Sequence, residues 1–375
     1  MLTFRQLEDA GDAVVKIIAE TEQALINDMA RRIARLGGVT DATNWQAWRL
    51  EQLGAMEETV ITELSRTLNV TEYRLIELFD EAATRALALD SQMYRAAGYN
   101  PVPLAQNPLL QQIIRAGLRK TQQMFQNLTL TTANTVLRQF EHALDLAHQE
   151  IVSGGYTYQQ AIREGVRTLT RSGMGAITYP TGHVDFLDVA FRRATLTGVN
   201  QTAAELQLEN LAQMGADLVE TTAHHGARPD HAEWQGKVFS VRGASVKYPN
   251  FRQETGYGTG PGLCGWNCRH NFFPFFEGLS DSAYPAEKLR EYNDKTVAYG
   301  GKDMSLYDAT QQQRHIERQI RRWKRESSAL DAAGVENALA AQKVKDWQGV
   351  QRDFINQTGL RRDYFRERAG EQLVS

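Results

Sequence analysis

Apolar residues recur at the spacing of an α-helix through the opening part of this chain, and that periodicity restricts it to a set of amphipathic helices packed on one another. Val14, Ile18, Leu25, Met29, Ile33 and Leu36 follow at steps that keep them on one helix face, which Gly37-Gly38 terminates. A second helix, starting near Asp41 or Thr43, carries Trp45, Leu53, Met56, Val60, Leu64 and Leu68. Thr71 is placed to cap a third helix through Leu75, Leu78 and Ala82. Tyr99-Asn100-Pro101-Val102-Pro103 interrupts the pattern, because proline cannot continue a helix and biases its predecessor toward extended backbone. Helical spacing resumes at Leu109, Ile113 and Leu118, and again from Ala133 through Leu137, Phe140, Leu144 and Ala147 to Ile151, ahead of Gly154-Gly155.

The pattern then becomes mixed. Ser172-Gly173-Met174-Gly175 and Tyr179-Pro180-Thr181-Gly182 flank Ala176, Ile177 and Thr178, which suits a small strand or hairpin. Helices are expected over Val184–Leu196 and Asn200–Met214, and strands over Leu218–Thr222 and Lys237–Ser240. Beyond Tyr284-Pro285 three charged helices are expected, Ala286–Tyr299, Leu306–Ala332 and Val335–Thr358, forming an exposed arm or hairpin. The fold class is mainly α with a small α+β domain. The expected division is a helical N-terminal region over 1–98, a linker over 99–108, a helical segment over 109–169, an α+β domain with Gly-rich loops over 170–284, and a charged helical C-terminal arm over 285–375.

Composition excludes several classes. With 42% hydrophobic and 23% charged residues the chain is too apolar to be disordered. A net charge of -3 provides no global attraction to nucleic acid or anionic membranes. Cys264 and Cys268 are the only cysteines, so no disulfide framework is expected, and synthesis in a reducing cytosol fits. Arg5, Glu8, Asp9 and Asp12 stand where a signal peptide needs apolar residues, and no window approaches the roughly 18 apolar residues of a membrane span.

Two loops carry the functional signal. His224 to Gly236 packs three histidines, Arg228, Asp230 and Glu233 around glycine and proline, and Thr255 to His270 places five glycines around Cys264, Trp266 and Cys268. The succession HHGARPDHAEWQGKVFS, then YGTGPGLCGWNCRHNFFPFFEG, resembles the phage minor capsid protein 2 family, which is related to the Mu F-like head morphogenesis proteins. RRATLTGVNQTAAEL (Arg192–Leu206) and the helical opening with Trp45 and Trp48 resemble it too. The likeness covers most of the chain and is most specific between Arg192 and Gly278. Its motif residues here are His224, Gly226, Arg228, Asp230, His231, Trp234, Gly236, Tyr257, Gly258, Asn267, Cys268, Arg269 and His270. The resemblance implies a minor structural protein of a tailed-bacteriophage head, made in the bacterial host cytoplasm and present in few copies at or near the portal vertex. It further implies a part in head assembly or in DNA packaging or ejection, with the portal protein and/or the major capsid protein as partners.

The chemistry of these residues admits several readings. His231, Cys264, Cys268 and His270 are a candidate zinc set, because thiolate and imidazole donors from two loops can complete a tetrahedron, although C-x-x-x-C-x-H with a distant histidine is a looser pattern than paired C-x-x-C. Alternatively, Cys268 is a small buried apolar residue, His231 or His270 bonds to backbone carbonyls and so locks the two loops together, and Arg228 pairs with Asp230. A hydrolase reading assigns Asp230, His231 and Glu233 to a metal or to proton transfer and Arg269 to an anion. No G-x-S-x-G, P-loop, H-E-x-x-H or dinucleotide fingerprint accompanies it, and Gly256–Gly260 lacks the P-loop lysine. Arg314, His315, Arg318, Arg321, Arg322, Lys324 and Arg325 lie on one expected helix with Glu317 and Trp323. Of these, Arg318, Arg321, Arg322, Lys324 and Arg325 are candidate contacts to packaged DNA, the alternative being a solvated helix face. Phe272, Phe273, Phe275 and Phe276 around Pro274 suit a core edge, or in part a docking surface.

Overall fold

The computed structural model describes residues 1–37, 42–178, 184–243 and 245–370. Gly38, Asp41 and the turn expected at Tyr179–Gly182 lie outside the described residues. Helices dominate and the antiparallel sheets are small, so the fold is mainly α with a small α+β part.

The helices are longer than their apolar patterns suggest. The first, α1 (Phe4–Ile33), runs into a 3₁₀ turn at Ala34–Leu36. The two helices expected between Asp41 and Ala82 are one, α2 (Ala42–Ala96). Thr71 therefore caps nothing: it is fully buried inside α2, and its Oγ1 donates to the Leu68 carbonyl at 2.9 Å. A threonine hydroxyl can serve a helix start or fold back on the preceding turn, and the continuous buried stripe Leu64, Thr67, Thr71, Leu75, Leu78 selects the second. The runs beginning at Leu109 and Ala133 likewise belong to one helix, α3 (Pro108–Val152). A capping box between Thr157 and Gln160 then starts α4 (Tyr158–Ser172).

The strand expected at Ala176–Thr178 is β1 (Gly175–Thr178), paired antiparallel with β2 (Val184–Phe186). The two helices expected over 184–214 merge into α5 (Leu187–Gln213). Gly198, in the interval between the two expected helices, serves a close approach. A Cβ there would collide with Thr121 Oγ1 of α3, and a Cβ on Gly117 of α3 would collide with Thr202 Oγ1 of α5. Glycine meeting threonine in both directions brings these helices together more closely than bulkier side chains allow.

Five short elements follow: β3 (Leu218–Thr221), α6 (Pro229–Ala232), β4 (Val238–Ser240), α7 (Phe251–Thr255) and β5 (Phe272–Pro274). The strands form an antiparallel sheet in the order β4-β3-β5, with Val219 opposite Phe239 and Pro274, and Thr221 opposite Phe272. The helix expected over Ala286–Tyr299 stops early as α8 (Ala286–Asp294). A hairpin takes its place, β6 (Thr296–Tyr299) returning as β7 (Lys302–Ser305) through Gly300-Gly301, whose φ angles are 59° and 75°. Two adjacent positive-φ positions are what a tight hairpin turn needs, and Gly-Gly supplies them without steric cost. The last helices are α9 (Leu306–Ala332), with the expected bounds, and α10 (Ala338–Thr358), which starts later than the expected Val335.

Contacts divide the chain into two units. One comprises Met1–Val14, Glu72–Met124 and Arg192–Gln311 and holds the three-stranded sheet. Its core gathers Tyr94, Val219, Trp234, Phe239, Phe251, Leu263, Cys264, Cys268 and Phe272, with each large side chain contributing about 1.5–3 kcal/mol on burial. The other comprises Val15–Thr71, Phe125–Phe191 and Gln312–Ser375 and is helical apart from the β1-β2 pair. There α9, charged along its surface, buries Ile316, Ile320, Ala329 and Leu330. Among the described residues no helix is long and apolar enough to cross a membrane.

Candidate functional site

The three-stranded sheet positions both loops. β3 leads into the His224–Gly236 loop, which returns as β4, and the Gly-rich loop runs from α7 to β5. The loops are joined where Thr222 N donates to the Asn271 carbonyl and Asn271 N donates to Thr222 Oγ1, each at 2.8 Å. Pro229 opens the single turn of α6 with its fixed φ, and this turn points His231 inward while Asp230 stays 61% exposed. Arg228 pairs with Asp230 at 3.2 Å. In the second loop a Cβ on Gly262 would collide with the Gly256 carbonyl, and one on Gly265 with the Gly260 carbonyl, so the loop is folded tightly on itself. Cys264 (φ 58°) and Asn267 (φ 54°) are the non-glycine residues with positive φ among the described residues; for a side chain such as cysteine that conformation costs roughly 1–2 kcal/mol.

Three donor atoms converge between the loops. His231 Nδ1 and His270 Nδ1 are 3.4 Å apart, and Cys268 Sγ lies 3.7 Å from the first and 3.8 Å from the second. All three side chains are buried, and Cys264, the fourth of the expected set, is not part of the cluster. Its Sγ instead donates to the His270 carbonyl at 3.5 Å. The outer ring nitrogens face oxygen acceptors, His231 Nε2 at 2.8 Å from the Pro261 carbonyl and His270 Nε2 at 3.1 Å from Gln235 Oε1. The Gln235 orientation follows from its other bonds, since Oε1 accepts from the His224 amide and Nε2 donates to Asn293 Oδ1 at 2.7 Å. His270 Nε2 thus carries its ring hydrogen and its Nδ1 lone pair turns toward Cys268, while His231 Nε2 faces both an acceptor, the Pro261 carbonyl, and a donor, Arg228. Arg228 Nη2 donates to the same Pro261 carbonyl at 2.6 Å and lies 2.5 Å from His231 Nε2.

Burial sets the protonation states. It holds His231 below the ordinary histidine range and His270 well below it, and it pushes His224 down to about 4. His224 stacks on His270 with ring centroids 4.2 Å apart, and its Nε2 has no hydrogen-bond partner among the described residues. Burial also raises both thiols, Cys268 to about 11, although the backbone amides of His270 and Cys264 pull Cys268 the other way. The His270 amide donates to Cys268 Sγ at 3.4 Å.

Residues outside the two loops hold this arrangement. Asn200 of α5 donates to the Cys268 carbonyl at 3.1 Å and the His270 carbonyl at 3.0 Å, and its Oδ1 accepts from Asn271 at 2.8 Å. One heptad on, Gln207 donates to the Phe272 carbonyl at 2.6 Å and to Asp90 at 2.8 Å. Arg269 pairs with Glu8 of α1, which also holds Arg192 at 3.0 Å. Sequence reasoning missed Asn200, Gln207, Gln235 and Glu8. The available signal was amide side chains recurring on the face that α5 otherwise fills with apolar residues.

The remaining expected residues are distributed differently. Trp234 is buried edge-on to His270 at 4.9 Å, and Tyr257 packs on Phe251 at 5.2 Å. Gly226, Gly236 and Gly258 all have positive φ. The hydrolase set is not brought together, since Asp230 and Glu233 are exposed outside the cluster and Arg269 is engaged by Glu8. Of the basic residues on α9, Arg325 pairs with Glu22 at 3.0 Å and Arg321 with Asp188 at 3.1 Å, while Arg322 lies over the Trp323 ring and Arg318 is exposed. Lys324 is half-buried. Phe272 and Phe273 are buried in β5, and Phe276 stacks on Tyr99 at 5.5 Å.

The sequence profile of the family described as phage minor capsid protein 2 matches residues 2–356. A structural protein of Lactococcus phage LL-H is 23% identical over 344 residues, covering 87% of this chain and 89% of that protein. A structural protein of Lactococcus phage mv4 is 30% identical over 125 residues, covering 32% of this chain and 92% of that protein. No solved structure matches the chain. Both loops, the sheet that anchors them and α5 lie inside the matched span, and the chain belongs to the phage minor capsid protein 2 family.

Proposed function

We propose that this phage structural protein occupies the portal vertex of the head, or its immediate surroundings, in few copies. There it contacts the portal protein or the major capsid protein and serves head assembly or DNA packaging or ejection. The observation that carries this reading is the family match over residues 2–356, with relatives that are structural proteins of two phages.

The test is quantitative mass spectrometry of purified virions, followed by reconstruction of the portal vertex with symmetry relaxed. Peptides at a small fraction of the major capsid protein, and density at that vertex, are expected. Peptides found only in assembly intermediates would make the protein an assembly factor, and an even distribution over the shell would remove the vertex assignment.

A further inference from the structure

We propose that His231 Nδ1, His270 Nδ1 and Cys268 Sγ bind one divalent cation of the zinc class, which staples the His224–Gly236 loop to the Gly-rich loop. Spacing is the first argument. Zinc bonds of about 2.05 Å to nitrogen and about 2.3 Å to sulfur set tetrahedral edges of about 3.3 Å between nitrogens and about 3.6 Å between nitrogen and sulfur. The three edges here are 3.4, 3.7 and 3.8 Å.

Proton arithmetic is the second argument. His270 carries its hydrogen on the outer nitrogen, held by Gln235, so its Nδ1 lone pair faces His231 Nδ1 at 3.4 Å and Cys268 Sγ at 3.8 Å. Hydrogen bonds can satisfy these three atoms only pair by pair, whereas a cation satisfies all three donors at once. Binding replaces the Cys268 thiol hydrogen: the S–H bond breaks, an S–metal bond forms, and the proton leaves to solvent. Pro261 and Gln235 then act as the outer partners that orient metal-bound imidazoles, and the His270 amide bonded to Cys268 Sγ favours the thiolate.

Donor type selects the ion. One thiolate with two neutral imidazoles suits zinc and its neighbours, and no carboxylate or carbonyl set of the kind that magnesium or calcium requires is present in the cluster. Cys264 remains a thiol bonded to the His270 carbonyl, so the fourth position falls to a donor from outside the chain. Asn200 bonds the carbonyls of two of the ligand residues, Cys268 and His270, which fixes the backbone on which both stand.

The experiment uses the full chain, depleted of metal with a chelator and then titrated with zinc or cobalt(II). About one metal per chain is expected, with a sulfur-to-cobalt charge-transfer band that disappears in Cys268→Ser and persists in Cys264→Ser. X-ray absorption of the zinc-loaded wild type decides independently of whether any variant folds, and a shell of one sulfur with imidazole nitrogens is expected. Wild type that retains no zinc, a shell without sulfur, or a cobalt band that survives Cys268→Ser would overturn the site and leave a purely hydrogen-bonded lock between the loops.

Discussion

The helix contacts of the second unit and the loops around His231 differ in the side chains that hold their buried polar groups. Between helices, arginines reach across to carboxylates, Arg325 to Glu22 and Arg321 to Asp188, beside neutral contacts such as Thr21 with Thr67. Around the loops amide side chains predominate, with Asn200, Gln207, Gln235 and Asn271 bridging backbone groups and histidines. Backbone chemistry explains the difference. A helix satisfies its own amides and carbonyls, so a side chain reaching across meets another side chain, and a long arginine spans that distance. A Gly-rich loop leaves backbone groups unpaired, and an amide side chain, both donor and acceptor, is the simplest group that can serve them. The helical contacts therefore respond to pH and to loss of one partner, while the loop network responds to loss of an amide.

The largest effect should come from breaking a buried pair. Arg325→Ala strands Glu22 beneath the surface and should cost about 3–5 kcal/mol in urea denaturation, with much of the loss recovered by adding Glu22→Gln. Next, Asn200→Ala removes the donor from two carbonyls and should cost about 2–4 kcal/mol, with hydrogen exchange accelerated at the Cys268–Asn271 amides. A larger cost for Asn200→Ala than for Arg325→Ala would reverse the comparison.

Glu317 sharpens it further. Burial pushes this carboxyl from its ordinary 4.5 up to about 7, only partly offset by Arg366, so the folded state holds a proton that the unfolded chain has released. The resulting stability is present in full below pH 4.5 and lost as pH rises through 7. Glu317→Gln keeps the hydrogen bond from Gln313 only if its amide turns its oxygen toward that donor. It should gain on wild type by about 1–3 kcal/mol between pH 5 and pH 8 in thermal unfolding, and a pH-independent difference would refute the assignment. The smallest effect is expected for Arg49→Ala. Its partners Asp145 and Glu141 are 34% and 44% exposed, so the loss should stay under about 1 kcal/mol and shrink with added salt.

Local rules in the sequence determined the element types. Period, turn residues and alternation were enough for α9, β1, β3 and β4, because each is decided by residues within a turn or two of one another. The same rules misplaced a helix start at Thr71 and a break between Leu196 and Asn200, where Gly198 lies. A threonine can cap or back-bond, and a glycine can end a helix or admit a neighbour, and which it does depends on what packs against it. Gly300-Gly301 was a legible hairpin signal that the helical spacing around it obscured. For the site, the order of histidines and cysteines marked the two loops and pointed to the family. Only the tertiary structure separated Cys264 from the other three candidates and brought in Asn200 and Gln235, because the direction of a ring nitrogen or a thiol is set by acceptors that arrive from distant parts of the chain.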